Sequence, residues 1–220
     1  YCNSSASEHP DNMRFLREAE TWGGFKVQVI SSTKFKTVEE VFTNRRYMSG
    51  PKGAPCTVEL KKKPRFAFQR ADDIHIFGMT ADEESRASKF SDRNHELHLE
   101  WPLIERVITK TECLERLVQA GIRLPTMYLL GYDNNNCPGC VKSQSPAYWN
   151  RIRRDFPAVF ATRCAQSREF GAKLVVVNGV RIFLDELSPL CMEAPKEDLS
   201  CGPQCGIEPS GNEAEEVDWI

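Results

Sequence analysis

The sequence predicts an α/β fold: a mainly parallel sheet flanked by helices, closed by a C-terminal hairpin and followed by an irregular, cysteine-containing tail. Three observations carry this. Short apolar or β-branched runs alternate with segments of helical periodicity over the first two-thirds of the chain, the pattern of strands joined by crossover helices. Asn178-Gly179 separates two runs rich in Val and Ile, a strong local signal for a two-residue hairpin. From Leu187 onward Pro, Gly, Cys and acidic residues replace any periodic pattern. A chain of 220 residues, 40% of them hydrophobic, can bury a sizeable core. The expected boundaries are 1–189 for the folded domain and 190–220 for the tail.

Tyr1-Cys2-Asn3 reads as the end of a strand, so an upstream strand and loop are expected ahead of it. A polar turn follows to Asp11, which is placed to cap a helix running to Trp22 with Met13, Phe15, Leu16 and Ala19 on one stripe. Gly23-Gly24 stops it. Phe25 to Ile30 alternates as a strand, and Val38, Val41 and Phe42 mark a helix over Thr37 to Asn44. Gly50 to Pro55 is an exposed loop, and Cys56 to Phe68 reads as a helix carrying a basic run. Asp73 to Gly78 is expected to be a short buried strand, with Asp82 to Arg86 forming a loop and first helical turn after it. Glu96 to Trp101 alternates as a strand, and Ile104 to Ala120 reads as one helix stopped by Gly121. Two further helices are expected over Pro146 to Asp155 and Ala158 to Phe170. The hairpin then pairs Lys173 to Val177 with Val180 to Leu184, and Gly211 to Asp218 has the composition of a disordered segment.

The net charge of -2 and a pI near 6.2 give no bulk electrostatic drive toward nucleic acid, leaving only a local basic patch for that role. No run of about 18 apolar residues is present, so no membrane span is expected. The nine cysteines are odd in number and unevenly spaced, and no secretory signal pattern opens the sequence. A cytoplasmic protein with a metal or redox site is the expectation.

Chemistry centres on the polar turn Asn134-Asn135-Asn136-Cys137-Pro138-Gly139-Cys140-Val141-Lys142. Two thiols at this spacing, presented by Pro and Gly, suit metal binding or redox exchange. Zinc needs two further ligands; an iron–sulfur cluster needs one or two more cysteines. Cys56 is the best third ligand, because it follows a Gly/Pro loop and precedes Lys61, Lys62, Lys63 and Arg65; a small apolar residue at a helix start is the equal alternative. Cys201 and Cys205 form a second pair in the tail, while Cys2, Cys113 and Cys164 read as packing residues and Cys191 stays open. Glu83 sits with Asp82 and Glu84 where acids favour a helix N-terminus, and Arg86 beside them is suited to phosphate or a carboxylate. His9 lies in the first rim loop; His98 alternates with Leu97 and Leu99 as a strand residue.

Taken together, several segments resemble the phosphoadenosine phosphosulfate reductase family of the adenine nucleotide α-hydrolase-like group. They are Tyr1-Cys2-Asn3 through Asp11, Pro55-Cys56-Thr57 through Lys62, Ile76-Phe77-Gly78 through Arg86, and Asn136 through Lys142. The resemblance spans roughly Tyr1 to Pro189. It implies a Rossmann-like sheet, an adenine nucleotide as substrate, and sulfite release or sulfur transfer assisted by a 4Fe-4S cluster, with zinc as the alternative occupant. Cys56, Cys137 and Cys140 are then the metal ligands, and Arg86, Lys61, Lys62 and Glu83 the nucleotide-side residues. Cys201 is the nucleophile, with a thiol reductant protein as partner. The family's Ser-Gly-Gly phosphate loop is expected ahead of Tyr1, Thr57 stands where the cluster-bearing reductases have a second cysteine, and no histidine follows Cys201-Gly202. A zinc-stabilised binding module and a nucleic-acid sulfur-modification protein are the alternative functions.

Overall fold

The computed structural model describes residues 2–3, 6–50 and 53–192. Two parallel strand pairs are each joined through helices. β1 (Cys2–Asn3) pairs with β2 (Val29–Ile30) across α1 (Asp11–Gly23), in the register Cys2↔Val29. β3 (Ile74–Ile76) pairs with β4 (His98–Glu100) across α4 (Glu84–Ser91), in the register His75↔Leu99. Between these units lie α2 (Val38–Arg45) and α3, a single helical run over 55–68. α5 (Pro102–Glu105), α6 (Lys110–Gln119) and α7 (Thr126–Leu129) lead to the cysteine turn. After it come α8 (Pro146–Asp155), α9 (Pro157–Glu169) and the antiparallel hairpin of β5 (Val175–Val177) and β6 (Val180–Ile182). The protein is thus mixed α/β and mostly helical, with short parallel pairs and a C-terminal hairpin.

Local chemistry explains most element ends. Thr37 caps α2 by accepting from the Glu40 N–H at 3.1 Å, and Gly24 ends α1 with φ 66. Asn178 and Gly179 both take positive φ, 49 and 78, as a primed hairpin turn requires. α8 stops at Phe156 because Pro157 opens α9 as its first residue.

Several expectations need correction. The strands pair as three separate two-stranded sheets among the described residues, where one sheet was expected. The expected strand over Phe25 to Ile30 is reduced to Val29–Ile30, since the Glu20 side chain takes the Val27 N–H at 2.8 Å. β3 is not buried: Ile74 and Ile76 are 61% and 65% exposed, and only His75 between them points inward. The helix expected over Ile104 to Ala120 is two helices. Val107 turns left-handed at φ 54, and Thr109 restarts the chain as α6 with a capping box closed by Glu112. Asp11 does not cap α1, whose N-cap residue is Pro10. The Asp11 carboxylate instead binds Arg14, Arg123 and the Thr126 N–H, which ties α1 to the loop before α7. Those contacts, led by the Arg14 hydrogen bond, hold its pKa far below the usual carboxylate range. The first-strand residue Tyr1, the loop residues Pro51 and Lys52, and the tail from 193 lie outside the described residues.

The main core gathers α2, α3, α8, α9 and the hairpin. Trp149, Ile152, Val41, Met48, Val175 and Leu184 are fully buried in it. α8 and α9 pack on one another, and Val176 N–H donates to the Gln144 carbonyl, so the hairpin is sewn to the segment leaving the cysteine turn.

Candidate metal and thiol site

The cysteine turn is held from three sides. Gly139 sits at its apex with φ 69, and a β-carbon there would come within 2.6 Å of Val159 Cγ1; a glycine is therefore required both by conformation and by the approach of α9. The Cys140 N–H donates to the Tyr148 hydroxyl at 2.7 Å. Arg163 Nε donates to the Gly139 carbonyl at 3.2 Å. Ser143 N–H returns to the Cys140 carbonyl, and Trp149 Nε1 donates to the Ser143 carbonyl at 2.9 Å. Both thiols of the turn are buried.

Opposite the turn stands the start of α3. Pro55–Thr57 is an α turn, Val58–Lys62 is π-helical, and Lys63–Phe68 resumes the α form. Such π segments are uncommon and recur at functional sites. This start and the turn face each other across a small, partly enclosed cleft. Cys56, Thr57, Lys61, Cys137, Cys140 and Arg163 line it, with Phe42 and Leu60 among its apolar walls. The structure therefore brings Cys56 together with Cys137 and Cys140. The three cysteines line the cleft without forming a cage: no set of three or more His, Cys, Asp or Glu side chains among the described residues is gathered to hold a metal ion.

The cations at the cleft are balanced from behind. Arg163 is buried, paired with Glu39 at 2.8 Å and stacked over the Phe42 ring. Burial pushes the Glu39 carboxyl up, but the charge and hydrogen bond of Arg163 outweigh it, and the net shift is downward. Lys61 lies 3.5 Å from Glu8. Glu59, buried one turn after Cys56, receives Lys63 at 3.0 Å and Arg45. Burial raises its pKa, and those two hydrogen bonds lower it further than burial raises it. The Tyr148 phenol is pushed well above its ordinary value, first by burial and then by the neighbouring Cys140.

The other residues singled out in the sequence lie elsewhere or play other parts. Lys62 is buried in the π-helical stretch and does not line the cleft. Glu83 and Arg86 pair with each other at 2.5 Å and are not cleft-lining residues. They belong instead to a second rim, where Glu83 is near Tyr128 and the Tyr128 hydroxyl meets the Asn135 backbone. Lys110 reaches Asp133 and Asn134 on the same loop. Lys142 Nζ is buried with no hydrogen-bond partner among the described residues. His9 accepts from the Asp11 N–H and packs edge-on to Phe156. Cys113 and Cys164 lie away from the cleft, and burial pushes both thiols up. Cys201 and Cys205 fall outside the described residues.

Arg163, Glu39 and Tyr148 were not singled out from the sequence. Arg163 had one visible signal: it falls on the stripe Phe160, Arg163, Ser167 of α9, where helical spacing puts a charge on the inward face. No family model, curated protein or solved structure matches the chain. No helix among the described residues is long and apolar enough to cross a membrane.

Proposed function

We propose that the chain is a phosphoadenosine phosphosulfate reductase-like enzyme. It acts on an adenine nucleotide, with a cysteine-ligated iron–sulfur group beside the reacting sulfur. The observation that carries this reading is the convergence of Cys56, from the start of α3, with Cys137 and Cys140 on one cleft. Soft thiolate donors favour iron–sulfur or zinc over hard cations. Cys56, Cys137 and Cys140 bring donors of that class to the cleft, although among the described residues they are not gathered into a metal-holding set. When bound, it would offer a sulfur-binding centre beside the reacting group, while the electrons of the reductive route come from the Cys201 thiolate and the reductant thiol. The two parallel strand–helix–strand units support an α/β reading, though they form separate two-stranded sheets among the described residues.

The chain's own residues supply the setting. The N-terminal end of α3 carries the helix dipole's positive pole, which favours Cys56 as thiolate. Arg163 and Lys61 line the cleft, each already paired with a carboxylate, Glu39 and Glu8 respectively. Tyr148 fixes the Cys140 backbone, and Gly139 lets α9 close over the turn. In the reductive route, the Cys201 thiolate attacks the sulfonate sulfur of a nucleotide phosphosulfate. The S–O bond breaks and the nucleotide phosphate leaves. A thiol of the reductant protein then attacks the Cys201 sulfur, releasing sulfite and forming a disulfide. In the sulfur-transfer route Cys201 is dispensable.

Sulfite release from adenosine 5′-phosphosulfate and its 3′-phosphorylated form, by the anaerobically prepared full chain with a dithiol reductant, tests the reading. Release that falls at least about a hundredfold in C56S and C137S supports it. Release lost in C201S selects the reductive route. A colourless, zinc-loaded chain that releases none overturns the enzyme reading in favour of a zinc-stabilised module.

A further inference from the structure

Cys137 and Cys140 stand at the two ends of a four-residue turn centred on Pro138-Gly139. Proline at the second position and a glycine with φ 69 at the third are the residue types and backbone sign of a type II turn. Such a turn holds its first and last Cα atoms within about 7 Å, and a disulfide spans a Cα separation of about 4.4–6.8 Å. Both cysteines line one cleft, so their side chains leave the turn on the same side. The turn is also clamped from outside. Val159 lies against Gly139, Arg163 Nε donates to the Gly139 carbonyl at 3.2 Å, and the Cys140 N–H donates to the Tyr148 hydroxyl at 2.7 Å. The pair thus meets the backbone requirement of a disulfide, whereas no set of three or more His, Cys, Asp or Glu side chains among the described residues is gathered to hold a metal ion.

We propose that Cys137 and Cys140 form a dithiol–disulfide couple that exchanges with low-molecular-weight disulfides reaching the cleft from solvent. The proposal goes beyond the enzyme reading above and does not depend on it. One thiolate of the turn attacks a sulfur of the small disulfide and releases one of its two thiols. The second thiolate then attacks the mixed disulfide, closes the Cys137 Sγ–Cys140 Sγ bond and releases the other thiol. The pair loses two electrons and two protons, and the small disulfide takes up both. Cys56, on the opposite wall of the cleft, takes no part in the bond.

The test equilibrates the full chain with glutathione and glutathione disulfide at a series of ratios, with a chelator present, once in native buffer and once in urea. Each sample is quenched in acid, alkylated and digested with trypsin. Cys137 and Cys140 fall together on the peptide 124–142, and Cys56 on the peptide 53–61. The expected product is peptide 124–142 unlabelled and two hydrogens lighter. At a fixed glutathione ratio its oxidised-to-reduced ratio is expected to be at least about tenfold higher in the native chain than in urea, because the fold has already closed the turn. A ratio in urea that equals or exceeds the native one overturns the proposal. A native chain that stays reduced at every ratio overturns it, and so does a bridge joining peptide 124–142 to peptide 53–61.

Discussion

Arg163 lies at 1% exposure between Phe160 and Ser167 on the inward stripe of α9. Its guanidinium is divided among Glu39, the Gly139 carbonyl and Gln166. R163M would take a donor from the Gly139 carbonyl and the Gln166 amide and leave Glu39, partly exposed, with Ser7 as donor, and is expected to cost about 1–3 kcal/mol by urea unfolding. Y148F removes the hydroxyl to which the Cys140 N–H donates, an expected loss of about 1 kcal/mol in the same measurement. The Glu39 carboxyl has a folded-state pKa below the ordinary glutamate value of 4.5. Its contribution is therefore present above that value and lost as pH falls through the folded pKa. The stability gap between wild type and E39Q should shrink as pH drops below about 4.5; a gap that widens on acidification contradicts the pairing with Arg163. None of these partners can be read from the sequence, because each depends on which face tertiary packing buries. The glycine and proline of the turn were legible, since their conformational demands are local.

At the scale of elements, ends set by local chemistry were legible and those set by packing were not. The Asn178-Gly179 hairpin, the Gly24 stop, the Thr37 cap and the Pro157 boundary all follow from residue types at fixed offsets. The break between α5 and α6 does not, because the helical pattern runs through Val107 while the backbone there turns to φ 54. A β-branched residue in that region costs about 1–2 kcal/mol. Val107 is exposed and has no core role, so V107G is expected to raise the unfolding midpoint despite glycine's chain entropy. Unchanged or lower stability in V107G contradicts strain at that turn. Gly139 is the opposite case. G139A would press a β-carbon against Val159 in a left-handed backbone, and about 2 kcal/mol or more should be lost. The π-helical stretch in α3 was likewise not legible: Cys56 to Phe68 has the periodicity of an ordinary helix, and the extra residue in the turn shows only in three dimensions.

Across the molecule, the cysteine turn and the start of α3 meet through the packing of α2, α8 and α9, not through any sheet. The expectation of a single parallel sheet came from alternation and from the family resemblance. Alternation reports strand and helix order, but not whether short strands such as Cys2–Asn3 and Ile74–Ile76 extend far enough to join. Cys56 was singled out because a Gly/Pro loop and a basic segment flank it; it lines the cleft with Cys137 and Cys140, but the three are not gathered into a metal-holding set among the described residues. Glu83 and Arg86 follow a strand as expected, yet the fold sets them against each other on the rim near Tyr128. Bound metal should also link the two halves of the site. Removing it with a chelator is expected to lower the thermal midpoint of wild type and leave C56S unchanged. The most direct measurement is the metal and sulfide content of the full chain purified without oxygen, beside C56S, C137S and C140S. Iron with acid-labile sulfide in wild type, lost in each of the three variants, is the predicted result. Iron or zinc retained in C56S, with loss confined to C137S and C140S, would contradict a site shared by all three cysteines.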